Sequence, residues 1–89
     1  MKAVITVIGK DNVGIIAKVS SVCAEYGVNI HEVSQTVLSD YFAMILVVDI
    51  QHITVPFTDF VGIMEESGKS MGLDIRTMHE DIFGTMHHI

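Results

Sequence analysis

Basic residues are scarce in this chain, which also has one cysteine, one proline and no tryptophan. Lys and Arg number 5 against 11 Asp plus Glu, a formal net charge of -6. A phosphate backbone would meet net repulsion, so the composition predicts no nucleic-acid partner. Cys23 has no second cysteine to pair with, which excludes an intramolecular disulfide, and its place in an apolar helical stripe predicts a buried, inert thiol.

The chain also lacks long hydrophobic runs. No window approaches the roughly 20 apolar residues that a membrane-spanning helix needs. The opening segment MKAVITVIGKD has an apolar run too short for a secretory signal peptide. We therefore expect a cytoplasmic protein without a membrane partner. Hydrophobic residues nevertheless make up 49% of the chain against 18% charged, which predicts an extensive buried surface.

Apolar spacing predicts two strand-helix-strand halves. Helical spacing places Ile15 and Ile16 on an apolar stripe that runs to Tyr26, where Gly27 suits a left-handed cap, and a second helical pattern runs from Pro56 to Gly72. In the second strand the apolar phase changes near His31 and Glu32, which indicates a β-bulge. Short apolar runs predict strands at 3–8, 28–38, 41–50 and 73–81.

The order βαββαβ predicts an α+β fold, a ferredoxin-like sandwich with a four-stranded antiparallel sheet and two helices on one face. Strand four is expected beside strand one. Because strands one and three are apolar on both faces, a second copy or a partner is expected to cover the open face or pair with a sheet edge. We expect one domain over 1–89, with a short C-terminal tail at 82–89.

Three turn-forming residues, Asp11, Asn12 and Gly14, separate the first strand from the first helix. Asp11 or Asn12 can cap the helix. Gly14 is predicted inside the first helical turn, where glycine costs about 1 kcal/mol relative to alanine. The helix N-terminus suits a carboxylate and Asp11 suits an ammonium group, a combination that fits an amino acid. An alternative interpretation remains open, in which Asp11 only caps the helix and Gly14 only makes room for a packing contact.

The segment VIGKDNVGIIAKVSSVCAEYGVNI resembles the opening of an ACT domain, with the glycine-cleavage-repressor-like and short stand-alone bacterial branches most similar. The resemblance is carried by Gly9, Asp11, Gly14 and Ile15, and by GVNI at 27–30. It implies a homodimeric, amino-acid-binding regulatory module without a cofactor, acting through another protein. It also implies a ligand between the first loop of one subunit and the second strand of its neighbour. The residues that match those two places are Asp11, Asn12, Val13, Gly14, Ile15, Asn29 and Ile30.

Metal binding and catalysis have less support in the sequence. The five histidines show no dependable ligand spacing, so no metal site is predicted. No Ser, His and acid constellation is apparent, and an acylphosphatase of this topology relies on an Arg in the first loop, where this chain has Lys10 and places its one Arg at position 76. We therefore predict no enzyme. A dimeric interaction module that binds no ligand stays open as the alternative to amino-acid sensing.

Overall fold

The structure is a computed structural model that describes residues 1–10 and 14–86. A strand, a helix, two strands, a longer helix, a fourth strand and a short helix succeed one another along the chain. Their bounds are β1 Lys2–Lys10, α1 Ile15–Glu25, β2 Asn29–Leu38, β3 Tyr41–Asp49, α2 Phe57–Ser70, β4 Asp74–His79 and α3 Glu80–Met86.

The four strands form one antiparallel sheet in the order β2-β3-β1-β4. The predicted ferredoxin-like fold is therefore confirmed, as is the pairing of the fourth strand with the first. The register between β2 and β3 shifts between Ile30 and Glu32, which confirms the predicted bulge at His31. Ser39, at φ 59, is in the turn between these two strands.

Both long helices contribute to a single core on one face of the sheet. Helix α1 buries Ile15, Val19, Val22 and Cys23, whereas Ile16, placed on the same stripe by the sequence pattern, is 41% exposed. Burial raises the pKa of the Cys23 thiol to about 11. This agrees with the inert thiol that the sequence predicts, because the thiolate is the reactive form.

The C-terminal part of the chain differs from the prediction. Strand β4 ends at His79, two residues before the predicted end at Asp81, and α3 begins at once with Glu80. Helix α3 contacts β1 and β4 of its own chain. His87 and His88 lie outside the described residues. None of the helices in residues 1–10 and 14–86 is long and apolar enough to cross a membrane.

Candidate ligand-binding site

The residue directly before α1 has a left-handed backbone conformation. Gly14 has φ 88 and ψ 8 and is the N-cap of α1. Its carbonyl oxygen accepts a hydrogen bond from the backbone N–H of Lys18 at 3.0 Å. Asp11, Asn12 and Val13 lie outside the described residues, so their predicted roles as cap and ligand contacts remain predictions.

The position of Gly14 corrects the sequence interpretation. Gly14 is not inside the first helical turn; the helix begins one residue later, at Ile15. A side chain with a β-carbon is disfavoured at φ 88, so the backbone conformation by itself accounts for glycine here. Within residues 1–10 and 14–86, no atom lies within 4 Å of a β-carbon placed on Gly14, so the described residues leave space beside the start of the helix.

The start of α1 has the electrostatic character of an anion site. The first N–H groups of any helix lack intrahelical acceptors and carry partial positive charge. The first turn of α1 contains no acidic side chain to neutralise that charge. Ile15 is 3% exposed, which anchors the first turn in the core. The described residues here therefore combine a left-handed glycine, a helix end fixed by a buried residue and the partial positive charge that every helix N-terminus carries.

Asn29 and Ile30, the other predicted contacts, lie at the opposite end of the sheet. Tyr41 of β3 pairs with Lys10 and with Leu38, so the turn after β1 and the end of β2 share one end. Asn29 instead pairs with Asp49, at the other end. The 11 residues of α1 span about 16 Å, at 1.5 Å per residue. One protomer therefore does not bring the two halves of the predicted site together.

Strand β2 lies at one edge of the sheet, a position where a further strand could pair with it. Residues 31–37 are all exposed, including Val33 at 41% and Val37 at 67%. A second β2 paired antiparallel along the full length of this edge, with the two strand ends aligned, would place its Asn29 beside Leu38 of the first, at the end of the sheet where β1 ends. The predicted residues are thus compatible with a site shared by two chains.

Asp49 is a neighbour of Asn29 that the sequence pattern did not single out. Its Oδ1 accepts a hydrogen bond from the backbone N–H of Gln51 at 2.8 Å. This hydrogen bond is the main cause that lowers the pKa of Asp49, with further contributions from the N-terminal amine and His31. Nε2 of His31 lies 3.8 Å from Asp49 Oδ2. A charged carboxylate therefore flanks Asn29. Asp49 is the last residue of β3, and no local sequence pattern indicates that its carboxylate lies beside Asn29.

Side chains that could hold a metal ion are not clustered in the described part of the chain. Within residues 1–10 and 14–86, no group of three His, Cys, Asp or Glu side chains is placed to hold a metal ion. The histidine pair of the C-terminal tail is not in that range.

The family model of the ACT domain matches residues 2–77, from the start of β1 into β4. The chain belongs to the ACT domain family. This confirms the resemblance carried by the glycines and by GVNI. ACT domains form a family of regulatory, small-molecule-binding modules, and this chain is a member of that family.

Relatives and solved structures agree with this assignment. A UPF0237 protein of Clostridium acetobutylicum is 46% identical over 89 residues, which is the full length of both chains. An ACT domain protein from Streptococcus pneumoniae is 43% identical, with a TM-score of 0.82 and 93% of each chain covered. A putative glycine cleavage system transcriptional repressor has a TM-score of 0.68 at 19% identity, over 85% of this chain and 43% of that one. This last likeness shows the fold alone.

Proposed function

We propose that this ACT domain is a homodimeric regulatory module that binds an amino acid and acts through another protein. The observation that carries the proposal is the left-handed conformation of Gly14 at the N-terminus of α1, where a β-carbon would meet no atom of the described residues within 4 Å. Its separation from Asn29 within one protomer supports a binding site built from two chains.

The chemistry of the two halves suits an amino acid. The N–H groups at the start of α1 would receive the ligand's carboxylate, because donors and partial positive charge converge there. The ammonium group would be met by Asp11 from the same turn and by Asp49 of the second protomer, next to Asn29. The exposed side chains of Val33 and Val37 supply apolar surface along the shared edge.

A thermal-shift series against the twenty amino acids tests this function. An amino acid present at 100 times its dissociation constant should stabilise the protein by about 2.7 kcal/mol and raise its melting temperature by several degrees. An external dye should report unfolding, since the chain has no tryptophan. We expect one amino acid, or a chemically related group, to produce the shift.

Gly14→Asn is the variant that locates the binding site. Asparagine adopts the left-handed conformation more readily than other residues with side chains, so it should place a side chain in the open space without breaking the turn. Gly72→Asn is the matched control, since Gly72 has φ 73 and also has nothing within 4 Å of its built β-carbon. We expect Gly14→Asn to lose the amino-acid shift and Gly72→Asn to keep it. A flat panel with an intact dimer would favour the interaction module instead.

A further inference from the structure

The sheet face opposite the two long helices carries a cavity of about 270 Å³ that the proposed amino-acid site does not use. Strands β1 and β3 provide its floor and Phe83 of α3 borders it. The described lining is mainly apolar and includes Ile8, Ala43, Ile45, Met78 and Phe83.

Burial along β1 shows that this face is covered at one end only. Val4 and Ile8 project from the same side of the strand, yet Val4 is 2% exposed and Ile8 is 50% exposed. Since α3 contacts β1 and β4, the short helix accounts for the covered end. On β3, Ile45 is 39% exposed. The cavity lies where the cover by α3 stops and apolar surface continues.

Arg76 gives this cavity a charged side. It is the sole arginine of the chain and lies directly across from Thr6 of β1. Its Nε is 3.4 Å from Asp74 Oδ2, and both side chains are more than half exposed. Such an exposed ion pair contributes little stability. Little free energy would therefore be lost if Arg76 exchanged Asp74 for the carboxylate of a ligand. Guanidinium groups bind carboxylates through two parallel hydrogen bonds.

We propose that this cavity binds a small monocarboxylate with an aliphatic chain, whose carboxylate pairs with Arg76 and whose chain lies between Ile8, Ala43 and Phe83. The volume is just below the range of about 300 to 1,000 Å³ typical of sites for drug-sized ligands, so a short-chain acid is the matching size. The net charge of -6 repels anions over most of the surface. The attraction for a carboxylate at this cavity therefore comes from Arg76. The proposal does not rest on the amino-acid site.

Titration of the isotope-labelled protein with hexanoate, octanoate and octanol, followed by NMR, tests the proposal. Affinity should rise about fourfold for each added methylene, because each buried methylene contributes about 0.8 kcal/mol. Octanoate should bind more tightly than octanol. Arg76→Met should weaken octanoate about tenfold and remove that preference, whereas Lys18→Met, which removes an exposed cation on α1, should change neither.

Two further variants locate the ligand. Ala43→Phe should fill the cavity and abolish octanoate binding, and Gly14→Asn should leave it unchanged. Equal octanoate affinity in Arg76→Met and the unmodified protein would overturn the proposal, as would full affinity in Ala43→Phe. Failure of octanoate to bind the unmodified protein would also overturn it, and a dimer split by Ile45→Glu would then show that a second copy covers this face.

Discussion

Replacing Phe60 with alanine should lower the free energy of unfolding by about 4 kcal/mol, the middle of the range for removing a buried aromatic side chain. Phe60 is 0% exposed and belongs to the core shared by both long helices and the sheet. Its ring meets Tyr26 edge to face, with centroids 6.3 Å apart. Domains of this size are stable by only about 5 to 15 kcal/mol, so the variant should retain little stability.

Phe57→Ala is the matched control, because it removes the same side chain from the same helix at a less buried position. Phe57 packs against the core and its ring centroid lies 4.3 Å from that of His79. We expect a loss of roughly 1 to 2 kcal/mol, since part of the ring is already in water. Urea denaturation followed by far-UV circular dichroism measures both variants. Equal losses would contradict the packing described for α2.

Gly27→Ala should cost on the order of 3 kcal/mol, through strain and collision together. Gly27 has φ 73, which disfavours a β-carbon, and a β-carbon built there would run into the carbonyl oxygen of His52. Backbone atoms cannot move aside as a flexible side chain can. The loop is held in place because the backbone N–H of Thr54 donates to the carbonyl oxygen of Tyr26 at 3.0 Å.

Gly62→Ala supplies the contrast for this prediction. Gly62 is inside α2, and a β-carbon there would meet nothing within 4 Å. Alanine at this position should stabilise the protein by about 0.5 to 1 kcal/mol, since glycine weakens helix interiors. The same urea titrations compare the two substitutions. A stable Gly27→Ala protein would show that the end of α1 tolerates a side chain after all.

Local patterns in the sequence were sufficient for most of the fold. The phase change of apolar residues in the second strand predicted the bulge at His31, because a register shift reverses which side chains face the core. Gly27 predicted the end of α1, since few other residues adopt its backbone conformation. Within the strand predicted at 73–81, Leu73, Ile75 and Thr77 alternate with more polar residues, and all three are buried.

Features that depend on tertiary contacts were harder to predict from the sequence. The sequence indicated a short C-terminal tail at 82–89 but not that β1 and β4 of the same chain would contact it. The exposure of Ile16 likewise depends on where α1 meets the sheet. For the candidate site, residue types indicated the turn and the resemblance to ACT domains indicated Asn29, whereas their separation results from the sheet register. The lowered pKa of Asp49 results mainly from a hydrogen bond donated by the backbone N–H of Gln51, which the sequence pattern does not reveal.

Mixing two defective chains tests the central claim most directly, namely that each amino-acid site joins the turn of one protomer to the second strand of another. Gly14→Asn and Asn29→Ala homodimers should each fail to bind the amino acid that stabilises the unmodified protein. After unfolding and refolding together, heterodimers should each contain one intact site, so calorimetric titration should recover about a quarter of the normal sites. No recovery from a mixture shown to contain heterodimers would contradict the shared site and place binding within a single chain.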